Sequence, residues 1–214
     1  DWSSDVCSSD LVEQLNKTAL KSHGLDSNGQ LYKINSFEFY RYEDIIKKED
    51  DAGYDKTAFE KMLEIKGDSD HTKLIDMLTD LNDYSIGIED VLKEHFDEEN
   101  IVYWMAFQIL MGNVDTQNRN VYLYSPLNSD IWYFIAWDND GCLMRPEYEL
   151  RNFSDQNSWE KGISNYWGNI LFQRCLKSRS FREKLNDAIL ELREYLNKDM
   201  LISKIERSEE RRVR

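Results

Sequence analysis

The feature that most constrains the fold is a nearly continuous apolar run over residues 101–111, which passes directly into a polar loop. Asp97, just upstream, is a residue type that caps the start of a helix, and Gly112 is the type that ends one. The run therefore predicts a helix from residue 98 to about residue 111. Because a helix that is apolar on nearly every face is normally central in its domain, we expect it to position the loop that follows.

Two strands are predicted after this loop, at residues 121–124 and 131–137. Both segments are rich in aromatic and β-branched side chains, and the link over residues 125–130 contains Ser, Pro, Asn and Asp. Strand-forming runs joined by a turn-rich link favour a small antiparallel β-hairpin.

Four polar side chains flank the predicted hairpin at one end. Asp115 and Asn120 precede the first strand, and Asp138 and Asp140 follow the second. If the strands pair, these side chains converge, and the carboxylates of Asp115 and Asp138 should come within about 8 Å of one another. Carboxylate and amide oxygens are the ligands that Mg²⁺ or Mn²⁺ prefers, so Asp138, Asn120 and Asp140 are predicted metal ligands.

The rest of the chain is predicted to be mainly helical. Helices are expected over residues 12–23, 58–66, 72–82, 88–95, 170–177 and 181–205, with one extended segment over 31–34. The charged stretch 43–56 predicts an exposed loop, and residues 141–168 predict irregular structure. The expected fold class is therefore α+β, mostly α.

Composition limits the possible functions. The chain has 214 residues, 41% of them hydrophobic and 13% aromatic, which supports a packed core despite 32% charged residues. A formal net charge of -14 repels phosphate backbones and argues against a nucleic-acid partner. An acidic protein that handles ATP must do so through a cation held by carboxylates. No apolar stretch is long enough to span a membrane, and the three Cys and three His residues are too dispersed for a zinc site.

Both ends of the chain match translated sequencing adapter. The codons TGC-TCT-TCC-GAT-CT give residues 7–10 and begin residue 11, and the reverse complement of their shared part, AGA-TCG-GAA-GAG-C, gives residues 207–210 and begins residue 211. We therefore expect residues 1–11 and 207–214 to be adapter-derived and to pack against nothing. Residues 12–206 are then the natural part, and the parent gene is expected to continue in both directions.

The block from Asp97 to Gly141 resembles the CotH kinase family, whose archetype is a bacterial spore-coat protein. Three motifs carry the resemblance: G-N-x-D at residues 112–115, N-x-Y-L-Y at 120–124 and W-D-x-D at 137–140. Upstream, residues 31–33 resemble the family's G-x-L-Y-K segment. The order Asp-x4-Asn, hairpin, Asp is also the arrangement of protein kinases.

The resemblance implies ATP- and Mg²⁺-dependent (or Mn²⁺-dependent) phosphorylation of Ser/Thr residues in a protein substrate, on an atypical kinase-like C-lobe. Asp115 takes the catalytic role, and Asn120 and Asp138 bind the metal–nucleotide cofactor, with Asp138 the principal metal ligand. Asp140 and Asn113 are weaker assignments. Two departures stand out: Ala136 replaces a proline common in the family, and the loop has no histidine.

No Gly-rich loop and no strand lysine paired with a helix glutamate is found in the sequence. The resemblance places them before residue 12, so an N-lobe is expected to be missing, and the fragment is expected to bind Mg-ATP weakly and transfer little phosphate.

Three functions stay open: an active protein kinase, a non-catalytic kinase-like surface or interaction module, and a different metal-dependent phosphotransferase. The family is often secreted, surface-associated or part of the spore coat, while this sequence itself defines neither location nor oligomeric state.

Overall fold

The computed structural model describes residues 14–113, 115–142 and 164–212. The strands are β1 (Gln30–Ile34), β2 (Leu63–Ile65), β3 (Val121–Ser125) and β4 (Tyr133–Ala136). They form one antiparallel sheet in the order β2–β1–β3–β4. The α-helices of the described ranges are α1 (Lys17–Ser22), α2 (Lys56–Met62), α3 (Thr72–Asn82), α4 (Ile88–His95), α5 (Glu98–Leu110), α6 (Ile170–Lys177), α7 (Arg179–Tyr195) and α8 (Lys198–Arg212). The α+β class and the prevalence of helix are confirmed.

The predicted helices α3, α4, α5 and α6 are found within one residue of their expected bounds. The predicted hairpin is also present, as β3 and β4, but it is half of a four-stranded sheet rather than an isolated pair. Residues 125–130 make the expected connection.

Three predicted helices need correction. The helix expected over 58–66 ends at Met62, because residues 63–65 turn into strand β2 and pair with β1. The helix expected from residue 12 starts at Lys17 within the described chain, where the Asn16 side chain caps it. The helix expected over 181–205 is two helices, separated by residues 196–197.

Several expectations fall on residues outside the described ranges. Residues 1–13 are among them, and so is most of the segment 141–168, of which only the ends at 141–142 and 164–168 are described, each in a short 3₁₀ helix or turn. The backbone of residues 207–212 continues α8. The adapter origin of the two ends stays a prediction.

Helix α5 is the centre of the main core, as its sequence predicts. It packs against β4 on one side and against α7 on the other. The Trp104 ring stacks on Phe172 of α6 with centroids 5.5 Å apart and also contacts Phe134 of β4. The Asp97 side chain accepts a hydrogen bond from the Asn100 backbone and caps the helix start.

Asn100 also fastens α5 to the outer edge of the sheet. Its side-chain oxygen accepts a hydrogen bond from the Phe134 backbone nitrogen (2.6 Å), and its side-chain nitrogen donates to the Phe134 carbonyl (3.1 Å). One amide thus satisfies both outward backbone groups of Phe134, as a neighbouring strand does. The edge strand β4 is held against α5 by this contact.

The opposite face of the sheet carries a second, smaller cluster. Leu31 of β1 and two β3 tyrosines, Tyr122 and Tyr124, pack there with Leu20 of α1. Trp137, just past β4, lies against Tyr122 at 5.4 Å between ring centroids. The sheet is therefore apolar on both faces, and β3 is buried along its full length.

The connection between β3 and β4 is tied to α3 by Lys73. Its Nζ atom donates to Ser125 Oγ (2.9 Å), to the Pro126 carbonyl (2.6 Å) and to the Ser129 carbonyl (2.7 Å). We expect Lys73→Met to lower the free energy of unfolding by about 1–3 kcal/mol, because three acceptors lose a charged donor. Urea unfolding followed by circular dichroism measures the change.

The control is Lys66→Met, which removes a lysine whose partner is the part-exposed Glu64 on β2. An exposed pair of this kind contributes at most about 1 kcal/mol. Equal losses in the two variants contradict the structural role of Lys73.

His71 is buried between two tyrosines and a phenylalanine. Its ring stacks on Phe59 (4.1 Å between centroids), and its nitrogens contact the hydroxyls of Tyr32 (2.8 Å) and Tyr54 (3.2 Å). Burial lowers the pKa of His71, and the nearby carboxylates, Glu49 first among them, offset this only in part. The folded protein therefore holds this imidazole neutral.

Since its folded pKa lies below the unfolded value of about 6.5, the unfolded chain binds this proton more readily. We expect the free energy of unfolding to fall as the pH drops below about 6.5, and His71→Gln to make that fall smaller. Urea titrations at several pH values between neutral and mildly acidic test this. The same pH dependence in both proteins contradicts it.

Candidate functional site

The predicted site residues lie at the end of the sheet where β3 begins and β4 ends. The register pairs Val121 with Ala136, so the residue before β3 and the residues after β4 emerge side by side. Asn120 is the residue immediately before β3, and Asp138 follows β4 by two positions. The antiparallel pairing predicted from sequence thus brings the two halves of the site to one place.

Asp115 is held by two of its neighbours in the loop. Asn120 Nδ2 donates to Asp115 Oδ2 (2.9 Å), and Arg119 Nε lies 3.3 Å from Asp115 Oδ1. The Asp115 backbone nitrogen donates to Asn113 Oδ1 (3.2 Å). The Asp115 side chain is 45% exposed, so its carboxylate is both oriented and open to solvent.

Asp138 sits in a left-handed backbone conformation, with φ 52° and ψ 67°. Loss of hydration at its carboxylate is the largest cause of a raised pKa, followed by the charge of Asp140 and a hydrogen bond between the two carboxyl groups. The charge of Asp115 raises the pKa further, whereas Lys33 lowers it. Three acidic side chains therefore repel one another across one small region.

Two buried amides, those of Gln108 and Asn113, bond to Asn139 and join the two halves of the site. Asn139, in the 3₁₀ turn that follows β4, accepts hydrogen bonds from Gln108 Nε2 of α5 (3.3 Å) and from Asn113 Nδ2 (3.4 Å). Asn113 is buried, and it is the residue whose Oδ1 receives the Asp115 backbone nitrogen. The helix end, the Asp115 loop and the turn after β4 are thereby linked.

Gly141 lets these segments approach closely. A Cβ atom at this position would lie 2.7 Å from Asn113 Oδ1 and 3.5 Å from Asp115 Cβ. The first distance is shorter than a real side chain tolerates, so a larger residue forces either the Asn113 side chain or the turn to move. Close packing against Asn113 thus explains why a glycine suits the end of the W-D-x-D-G sequence.

The donor set of the site fits a hard divalent cation. Within the described chain no three His, Cys, Asp or Glu side chains are arranged as a metal cluster. Asp140 raises the pKa of Asp138, and a nearby cation would favour the ionised form of that carboxyl group. Of the predicted ligands, Asn120 binds Asp115 directly through its side-chain nitrogen. Oxygen ligands of this kind suit Mg²⁺ or Mn²⁺.

Sequence reasoning missed the basic residues of this site. Lys33, on β1, lies with its Nζ atom 5.9 Å from the centroid of the Trp137 ring, and its charge lowers the pKa of Asp138. Arg119 contacts Asp115 directly. Strand alternation was the available signal for Lys33, because it shares a face with Leu31, but the partner strand could not be known from the pattern alone.

We expect Asp140→Asn to lower the pKa of Asp138, because it removes a negative charge and a partner that favours the protonated carboxyl group. A ¹³C-detected NMR titration of the Asp side-chain carboxyl groups, without divalent cations, measures this. The control is Asp76→Asn on the exposed face of α3. If the pKa of Asp138 is the same in wild type and in Asp140→Asn, the two carboxyl groups do not interact as described.

Comparison with known proteins gives one family. A family model described as CotH kinase protein matches residues 10–211, which includes both halves of the site and every helix and strand from α1 to β4. The resemblance inferred from the three motifs is confirmed by this match. No curated protein matches the chain significantly. None of the helices in the described residues is long and apolar enough to cross a bilayer.

Proposed function

The chain belongs to the CotH kinase family, and from this premise we propose that it transfers the terminal phosphate of ATP to serine and threonine side chains of a protein. The observation that carries the proposal is the register of β3 and β4. Because Val121 pairs with Ala136, Asn120 lies at the strand end that Asp138 follows, and Asn120 binds Asp115. This order supports a role in phosphoryl transfer. The helix α5, its loop and this hairpin then correspond to a kinase-like C-lobe.

Asp115 is the proposed catalytic residue. Its carboxylate is oriented by Asn120 and Arg119 and is half exposed, so a hydroxyl on a large substrate can reach it. An oriented carboxylate at this point can accept the proton of the attacking hydroxyl and align its oxygen. The exposure of the Asp115 side chain suits a protein acceptor.

Asp138 and Asp140, with Asn120, are the proposed ligands of Mg²⁺ or Mn²⁺. Bound Mg-ATP supplies the phosphoryl group and a cation that neutralises its charge. The charges of Asp140 and Asp115, which raise the pKa of Asp138, support a cation at this position. Lys33 adds positive charge on the same side, and we propose that its ammonium group contacts a phosphate oxygen.

The direct test compares Asp138→Ala, Asp115→Asn and the wild type, each made in the full-length parent protein. Transfer of radiolabelled phosphate from ATP to a Ser-rich protein is measured with Mg²⁺ or Mn²⁺, alongside nucleotide binding by calorimetry. We expect Asp138→Ala to lose both binding and transfer, because its metal ligand is gone. Asp115→Asn should keep binding within a few-fold and lower kcat by about a hundredfold or more, because only proton transfer and hydroxyl orientation are lost.

The matched control is Asp76→Ala, an exposed carboxylate on α3 that should leave both measurements unchanged. Equal transfer by wild type and Asp138→Ala sinks the proposed mechanism. Binding of Mg-ATP by a wild type that modifies no protein points to the non-catalytic module instead. Transfer to a small molecule and to no protein points to the third candidate, another phosphotransferase.

A further inference from the structure

The loop between Asp115 and Asn120 forms hydrogen bonds with two side chains that lie far away in the sequence. Asn169 Nδ2 donates to the Gln117 carbonyl (2.8 Å), and Glu38 Oε1 accepts a hydrogen bond from Asn118 Nδ2 (2.7 Å). Both contacts fall on the middle of the loop, between the two residues that the proposed reaction uses.

Asn169 has two roles in one side chain. Its amide nitrogen binds the loop, while its Oδ1 atom accepts from the backbone nitrogens of Leu171 (3.0 Å) and Phe172 (3.5 Å) at the start of α6. The residue is buried, with 1% of its surface exposed. The loop and the start of α6 are therefore joined by one side chain whose hydrogen bonds are shielded from solvent.

Glu38 completes a closed ring of contacts. Its second carboxylate oxygen accepts from the Tyr42 hydroxyl (2.8 Å), and its carbonyl accepts from the Ile170 backbone nitrogen (3.0 Å). The preceding residue, Phe37, donates its backbone nitrogen to the Asn118 carbonyl (2.9 Å). Asn118 is thus held through its side chain and its backbone by consecutive residues of one segment.

Backbone strain falls on the same region. In the described chain the non-glycine residues with positive φ are Phe39 (63°), Tyr42 (39°), Asn120 (55°) and Asp138 (52°). Phe39 and Tyr42 lie in the segment that carries Glu38, and Asn120 and Asp138 are the two site residues at the strand ends. Such conformations persist only where surrounding contacts enforce them, and they concentrate at functional sites.

We propose that Asn169 and Glu38 are positioning residues that fix the spacing and orientation of Asp115 and Asn120. Asn169 is buried, and the side chains of both residues bond to the loop, through which both act. The catalytic meaning of this inference rests on the proposed function, whereas the mechanical connection stands on the contacts alone. Losing either contact lets the middle of the loop shift while the strands that flank it stay in place.

The test uses Asn169→Asp and Asn169→Ser. Both replacements keep an oxygen that can cap α6, and both remove the amide donor that reaches the Gln117 carbonyl. The serine variant introduces no charge, which separates loss of the donor from electrostatic repulsion. The matched controls are Asn16→Asp and Asn16→Ser, because Asn16 caps α1 in the same way, through Thr18 and Ala19.

Three measurements are made on each variant of the full-length parent protein: Tm, hydrogen exchange of the loop amides over residues 115–120, and steady-state phosphate transfer. We expect the Asn169 variants to exchange these amides several-fold faster than wild type and to lower kcat by about tenfold or more, since small misplacement of a catalytic group is costly. The KM for ATP should change less than kcat. Tm should fall further in the Asn169 variants than in the exposed Asn16 controls, because a buried contact loses its donor.

Glu38→Gln and Tyr42→Phe test the second contact. Glu38→Gln weakens the acceptor for Asn118 and should repeat the loss of kcat, whereas Tyr42→Phe removes the other hydrogen bond of Glu38 and should leave the loop held. A smaller effect of Glu38→Gln than of Tyr42→Phe contradicts the role given to Glu38.

The outcomes separate this inference from the proposed function. Unchanged loop exchange in both Asn169 variants overturns the inference, and so does faster exchange with unchanged kcat. If the wild type transfers no phosphate, the proposed function fails, and Mn²⁺ affinity replaces kcat: an affinity and an exchange rate equal to wild type in the Asn169 variants then overturn the inference.

Discussion

The pairing of β3 with β4 is the constraint on which the candidate site depends. Side chains along a strand alternate between faces, so a shift of one residue in the register moves every side chain of β4 to the wrong face. Leu123 and Phe134 face the main core, and Tyr122 and Ile135 face the second cluster, so both faces oppose such a shift. The hydrophobic pattern that sets the register thus also sets where Asp138 emerges relative to Asn120.

The site contains several acidic side chains and few basic ones. Asp115, Asp138 and Asp140 act on one another, while Arg119 and Lys33 are the basic side chains described beside them. The Arg119 pair with Asp115 is largely exposed and contributes little to stability, so it orients the carboxylate more than it holds the fold. A site of this kind is stable because its backbone is anchored elsewhere, through Asn113, Asn139 and the interior of the domain.

Local patterns predicted the parts of the fold whose causes are local. The apolar run of α5, its Asp97 cap and the strand-forming residues around 121–137 predicted the helix and the hairpin. The short distance expected between the Asp115 and Asp138 carboxylates stays a prediction. Strand β2 was missed because residues 63–65 continue a helical pattern, and only pairing with β1 makes them extended. The contacts of Asn169 and Glu38 span 52 and 80 residues of sequence, and no periodicity reports a hydrogen bond at that separation.

Helix α5 contacts both strand β4 and the turn that follows it, so the length of the helix fixes the distance between these two contacts. Asn100 forms hydrogen bonds with the Phe134 backbone in β4. Gln108, eight residues later on the same helix, donates a hydrogen bond to Asn139. Each added or deleted residue turns the rest of a helix by about 100° and shifts it by about 1.5 Å. An insertion or deletion between Asn100 and Gln108 therefore breaks one of the two contacts. Within the family we expect the length of this helix to be kept.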